Sequence, residues 1–308
     1  MEYVVPLLAA AWWLGFLARD GWPVTRFCYY IPPVPVALLG LIWLCIYRRR
    51  VSMIARAFMV ATTAAAAIKM AAIDTVWHTP ADPPAGAIRL VHWNAAWGVF
   101  GRDAVWATLA ADRPDIIVFS EPPLADFEQR ARRVIPNAQC HVGASMALAS
   151  RWPIEVRGAL IVPDVRSWHI RIALPDGPLD LLGIDIPSGP LLDRRRPLAG
   201  IARWVLDHGT EVPLLVVGDF NTPRDSIHFA PLRMLLSQAY ESAGRGWPYS
   251  WPVPAPMWAI DQVWFSRDIH MWTHQFRIAP CSDHLREVMQ LTIQRPPVGL
   301  PPASSRSQ

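Results

Sequence analysis

Residues 213–221 read PLLVVGDFN. Leu214–Val217 is a short apolar run with two β-branched valines, bounded by Pro213 and Gly218, and it predicts a buried strand. Asp219 and Asn221 stand where that strand ends. A single Asp or Asn at such a place is an ordinary turn former or cap. Here the pattern repeats. IRLVHW from Ile88 ends at Asn94, and DIIVFS from Asp115 ends at Glu121. AIDQVWF from Ala259 carries Asp261, and Ser282-Asp283-His284 precedes VMQLTI from Val288. SMALAS from Ser145, HIRIAL from His169 and LDLLGIDI from Leu179 read as further strands. Asp103–Asp112, Ala125–Val134, Leu191–His208 and Ile227–Gln238 read as helices. Many strands with few helices predict an α/β fold of two sheets packed face to face with helices outside. Acids and amides where buried strands emerge gather a site at one sheet edge.

The composition narrows the class. The chain has 308 residues, 52% hydrophobic and 18% charged, which excludes a disordered chain. Four cysteines are too sparse for a disulfide-built miniprotein. The net charge of +4 hints at nucleic acid until it is located. Residues 1–78 hold seven basic and three acidic residues, the whole excess, leaving 22 of each sign in residues 79–308. A neutral domain gives no support for binding through phosphate neutralisation.

The excess charge lies among three apolar stretches: Val4–Ala18, roughly Phe27–Tyr47 and roughly Met53–Trp77. A membrane-spanning helix needs about 20 apolar residues. The second and third stretches meet that length and the first is short. A cleaved signal would need a positive segment before the first stretch, where only Glu2 stands. Arg48, Arg49, Arg50 and Arg56 mark the loop before the third stretch as cytoplasmic. The expected anchor is therefore residues 1–78 with three transmembrane helices in an inner membrane. The domain after it is then extracytoplasmic. If the helix carrying Arg56 and Lys69 fails to span, the domain is cytoplasmic instead. Residues 79–87 are a Pro-rich linker, 88–294 a single domain, and 295–308 a disordered tail.

The order of polar residues resembles the endonuclease/exonuclease/phosphatase superfamily, the DNase I-like fold, in its membrane-anchored bacterial form. The resemblance rests on Trp93-Asn94, Glu121, GDFN at Gly218–Asn221, Ile260-Asp261 and Ser282–His284, with softer matches at ASRWP from Ala149 and SWP from Ser250. It covers roughly residues 88–294. It implies a four-layered α/β sandwich and hydrolysis of phosphate esters with Mg²⁺, or Mn²⁺ in its place. It makes Glu121 the principal metal ligand, with Asn94 and Asp283 beside it. Asp219 would position or deprotonate the attacking water, and Asn221 and Asn94 would hold phosphate oxygens. Asp283 would orient His284, which contacts the phosphate, while Asp261 supports that histidine or the metal. The implied partner is a phosphate ester, a lipid headgroup or small phosphodiester before nucleic acid.

Two departures stand out. Ser120 replaces the family's usual Gln before the glutamate. Asp185 stands where the family places a His or Tyr that donates to the phosphate, and an ionised Asp cannot donate. Three readings stay open: a protonated Asp185, a metal-binding Asp185, or an impaired site. The last would make the chain a binding or scaffold member, and an extracytoplasmic nuclease is a further alternative. His169 or Arg171 could supply the missing donor, against a structural role for His169. A Cys140–Cys281 disulfide stands against two free thiols. Arg194–Arg196 reads as a solvated run, and Trp247, Trp251 and Trp258 as core or loop support.

Overall fold

The computed structural model describes residues 2–77, 79, 81–189, 192–208 and 211–294. The tail expected over 295–308 lies outside them, as do His78 and Pro80 at the linker. The chain opens with helices α1 (Val4–Ala18), α2 (Pro23–Tyr29), α3 (Pro33–Tyr47) and α4 (Met53–Ile68). A π-helical turn, Lys69–Asp74, continues α4. The second apolar stretch is thus not one helix. Pro32 and Pro33 remove backbone donors and disfavour helix in the residue before each, and α2 and α3 meet at 68°. By itself only Met53–Asp74, 22 residues, is long and apolar enough among the described residues to cross a membrane; the bent pair is the other candidate. Helix α1, at 15 residues, is apolar but shorter than that length.

After β1 (Val76–Trp77), the chain runs through β2 (Ile88–Asn94), α5 (Arg102–Asp112), β3 (Ile116–Ser120), α6 (Phe127–Val134), β4 (Gln139–Gly143) and β5 (Met146–Ser150). Next come β6 (Ile154–Gly158), β7 (Arg166–Leu174), β8 (Gly177–Asp185), α7 (Arg195–His208), β9 (Leu214–Asp219) and α8 (Ala230–Arg233). The last elements are β10 (Ser237–Gln238), α9 (Ala239–Ala243), β11 (Arg245–Gly246), β12 (Asp261–Phe265), β13 (Ile269–Arg277) and β14 (Arg286–Ile293). The helix expected over Ile227–Gln238 is only a 3₁₀ turn and the four residues of α8. Pro231 lacks the donor a longer helix needs, and Ser237–Gln238 pairs with β12 instead.

One six-stranded sheet has the order β13-β14-β2-β3-β5-β4 and the other β10-β12-β9-β8-β7-β6. Each is antiparallel except for one central parallel pair, β2–β3 and β8–β9. Period-2 alternation assigns the faces. Leu90, Val118 and Leu148 pack between the sheets against Leu181, Leu215 and Val263. Val91, Phe119 and Ala147 face outward onto α5 and α6, and Leu182 and Val216 onto α7. The result is the expected layering of helix, sheet, sheet and helix. Gly218 sits at φ 154°, and a Cβ there would lie 1.7 Å from the Ile184 carbonyl oxygen. Only glycine lets β8 and β9 approach where Asp185 and Asp219 end in register.

Among the inward-facing apolar side chains lies a polar group that the sequence did not announce. Glu287 accepts from His92 Nδ1 at 2.7 Å and His274 Nε2 at 3.0 Å. All three are 0% exposed. Ser120 meets His92 Nε2 at 3.2 Å. The serine that departs from the family's glutamine therefore serves this core network. The four cysteines are free, so no Cys140–Cys281 bridge forms. Arg194 is 2% exposed and donates to Pro187 O and Gly189 O. It ties down the loop before α7 and is not a solvated residue.

Candidate active site

The two parallel pairs end at the same edge of the sandwich, so their terminal polar residues meet across the sheets. Asn94 ends β2 and donates through Nδ2 to Asp219 Oδ2 at 3.0 Å, from one sheet to the other. Asp219 Oδ1 accepts from the Asn221 backbone N–H at 2.8 Å. Asp261 begins β12 directly opposite Asp219 and binds His284 Nδ1 at 2.7 Å. Ser282 Oγ donates to Asn94 O and accepts from the His284 N–H, which fixes the loop under the imidazole. Ser250 Oγ accepts from the Ile260 and Asp261 N–H groups and sets the start of β12. Asp219, Asp261 and His284 offer ligand atoms all within 4.8 Å of one another. Glu121 and Asn221 hold left-handed φ values of 47° and 46°, a costly backbone that clusters at functional sites.

The electrostatics are those of crowded acids. Burial first, and then the charge of Asp261, push Asp219 up to about 7. Burial and the Asp185 charge also raise Glu121. Burial alone would lower His284, but Asp261 outweighs it and holds the ring up at about 9. The imidazole is therefore charged at neutral pH.

Most expected site residues converge: Asn94, Glu121, Asp219, Asn221, Asp261 and His284. One role is corrected. Asp283 does not orient His284; it accepts from Trp251 Nε1 at 2.9 Å, and Asp261 orients the histidine. Adjacent residues in a tight loop point apart, whereas β12 delivers Asp261 to the ring. Trp251 packs tilted against Trp258, with centroids 5.3 Å apart, and lies 6.3 Å from the His284 ring. Trp247 donates to Pro256 O, away from this cluster.

Asp185 is at the edge but is not alone. It accepts from the Ser145 hydroxyl and pairs with Arg166 Nη1 at 3.3 Å. Burial raises its pKa while Ser145 and Arg166 pull against that rise. Neither partner was foreseen, because the register that places Arg166 opposite Asp185 cannot be read from one strand. His169 and Arg171 are engaged with Asp180 further down the sheet and supply no donor here.

The donor set fits a hard divalent cation. The carboxylates raise one another's pKa values, a sign of uncompensated negative charge, and Asp261 Oδ1 and Asp283 Oδ1 are buried with no hydrogen-bond partner among the described residues. Mg²⁺ takes oxygen ligands. The imidazole, already tied to Asp261, suits a phosphate contact.

The sequence pattern that defines the Endonuclease/Exonuclease/phosphatase family matches residues 91–284. The chain belongs to that family. Endonuclease/exonuclease/phosphatase members are phosphoester hydrolases, and this chain carries their hydrolase fold. No curated protein matches the sequence. Among solved structures, an endonuclease/exonuclease/phosphatase from Bacteroides vulgatus is 17% identical and superposes with a TM-score of 0.52, covering 68% of this chain and 99% of its own. The human Nocturnin catalytic domain, solved with a sulfate anion, is 18% identical with a TM-score of 0.52, covering 69% and 97%. A D. rerio TDP2 complexed with single-strand DNA product is 13% identical with a TM-score of 0.53, covering 67% and 99%. At these identities the likeness concerns the fold alone.

Proposed function

We propose that the chain is a divalent-metal-dependent phosphoesterase tethered to a membrane by its N-terminal helices. The observation that carries the reading is the convergence at one sheet edge of Asp219, held by Asn94, with His284, held by Asp261. A carboxylate with a pKa of about 7 is suited to orient a water and accept its proton near neutral pH. Asn94 Nδ2 fixes that carboxylate. Protonated His284 stabilises negative charge on the phosphate. One Asn221 Nδ2 hydrogen goes to Ile186 O, leaving the second for a phosphate oxygen. Glu121 and Asn94 would hold Mg²⁺ or Mn²⁺, with Asp283 the third candidate ligand. When bound, the cation offsets charge on the phosphoryl oxygens. Arg166 beside Asp185 offers the donor that a His or Tyr would supply there.

Purified full-length chain in detergent is expected to hydrolyse bis(4-nitrophenyl) phosphate with Mg²⁺ or Mn²⁺, with activity removed by EDTA and restored by metal. No turnover with either metal would sink the enzyme and favour a non-hydrolytic binding role. A panel of phospholipid, nucleic-acid and sugar-phosphate substrates then names the class; the neutral domain favours small or lipid phosphoesters over duplex DNA.

The membrane reading is supported by apolar side chains facing away from the protein: Leu7 is 69% exposed, Leu41 56% and Ile54 81%. With Arg48–Arg50 in the cytoplasm, a crossing by Met53–Asp74 puts the catalytic domain outside. A reporter fused after Ser304 is expected to be active only outside the cytoplasm, and a cytoplasmic signal refutes this orientation.

A further inference from the structure

The loop that follows Asp219 is gripped by the N-terminal helices. Tyr30 donates its hydroxyl to the Asn221 carbonyl at 3.2 Å. Tyr29 donates to Asp225 Oδ1 at 2.6 Å, and Lys69 to Asp225 Oδ2 at 2.9 Å. Arg224 donates to the Asp74 carbonyl at 2.7 Å, and Ser226 to Asp20 Oδ2 at 2.5 Å. Residues 221–226 are thus held by polar side chains and carbonyls from three separate turns of an otherwise apolar unit.

A tether alone does not require these groups. A lysine in an apolar helix is costly unless paired, and Lys69 is paired with both Asp74 and Asp225. The break at Tyr29–Pro32 has a similar consequence. It frees Tyr30 from a regular helix, so the hydroxyl reaches Asn221 while the carbonyl accepts from Trp258 Nε1 at 2.9 Å. Trp258 packs against Trp251, which donates to Asp283 and lies beside His284. Tyr30 therefore touches both walls of the catalytic edge, the Asn221 loop through its side chain and the tryptophan wall through its backbone. Asn221 adopts a left-handed φ of 46°, a conformation asparagine tolerates, and the Tyr30 contact fixes the carbonyl of that turn.

We propose that the N-terminal helices complete the active site, with Tyr30 as a positioning residue that holds Asn221 and with the Lys69–Asp225 pair locking the same loop. The inference rests on the phosphoesterase reading for its kinetic consequence but not for its structural one. Small misplacements of a group that contacts the reacting phosphate cost rate steeply, so the loss falls on turnover.

The test uses the full chain in detergent. Tyr30→Phe is expected to lower kcat about tenfold, equivalent to about 1.4 kcal/mol, with KM changed less than about twofold. Amide hydrogen exchange over residues 219–226 is expected to speed up at least about tenfold, while β3 exchanges as before. The triple variant Lys69→Met/Asp225→Asn/Asp74→Asn removes the lysine together with both carboxylates it pairs with, leaves no charge of that group unpaired, and is expected to reproduce both effects. Tyr47→Phe, on α3, is expected to change neither. Unchanged exchange in Tyr30→Phe overturns the proposal. So does faster exchange with unchanged kcat in an active enzyme, which would make the contact merely structural. A wild-type chain inert towards every phosphoester sinks the phosphoesterase reading alone, and the exchange measurement still decides whether the helices hold the loop.

Discussion

Replacing Asp261 with Asn is expected to lower kcat/KM for a phosphodiester by roughly 10²- to 10⁴-fold, the range for a positioned acid–base group. The same change is expected to move the pH profile to lower pH. His284 Nδ1 lies 2.7 Å from Asp261 Oδ2, and both residues are buried. Donation from Nδ1 fixes the ring and leaves Nε2 to face the phosphate. Burial disfavours the imidazolium, yet the Asp261 charge keeps its pKa at about 9. The working form is protonated, so the wild-type alkaline limb falls as pH rises through about 9. Without that carboxylate, burial is opposed only by the lesser charges of Asp219 and Asp283, and the alkaline limb moves to lower pH. Asp219 works deprotonated, and the Asp261 charge helps to raise it to about 7. Losing that charge lowers the acidic limb as well. A kcat/KM profile from pH 5 to 10 reads both limbs, and an alkaline limb left in place would show that Asp261 does not govern His284. Adding His284→Ala should abolish the alkaline limb altogether.

The location of this site was legible in the sequence because apolar strands gave way abruptly to Asn94, Glu121 and Asp219 at their ends and to Asp261 at the start of β12. Strand burial is a local signal, and so is its interruption. What needed coordinates were the relations between distant segments. Asp283 was the natural partner for His284 on the chain, but Asp261 reaches the ring from 23 residues away. Charge by itself does not separate a solvated arginine from Arg194, whose acceptors are carbonyls of the preceding loop. Lys69 looked like a flaw in a membrane helix because its partner Asp225 lies 156 positions on. Pro32-Pro33 did carry a local signal against a continuous second helix, and apolar length masked it. His92 stood in mid-strand with apolar neighbours, and nothing nearby indicated that Glu287 would face it.

Glu287→Gln is expected to destabilise the catalytic domain by about 3–5 kcal/mol at neutral pH, the cost of breaking a buried ion pair. Glu287, His92 and His274 are fully buried behind the catalytic edge, so no water replaces the lost carboxylate. Burial by itself would raise the Glu287 pKa. The hydrogen bonds from His274 and His92 outweigh burial and hold it at about 2, against an ordinary 4.5. That difference corresponds to about 3 kcal/mol of stability. Because the folded value is depressed, this contribution is present above about pH 4.5 and is lost as pH falls through about 2. His92 runs the other way. Burial would lower it, but Glu287 raises it above its ordinary value, so its share is present at low pH and fades as pH rises past the folded value. For a domain of about 200 residues the loss is equivalent to a fall in Tm of about 10 °C. Near-UV circular dichroism melts of the full chain in detergent from pH 2.5 to 7 would read it. The wild type should lose Tm steeply below pH 4.5, whereas the glutamine variant should start lower and respond less over that interval. An equal acid response in both proteins would mean that other carboxylates set the acid limit, leaving the His92–Glu287–His274 network without the stabilising charge assigned to it.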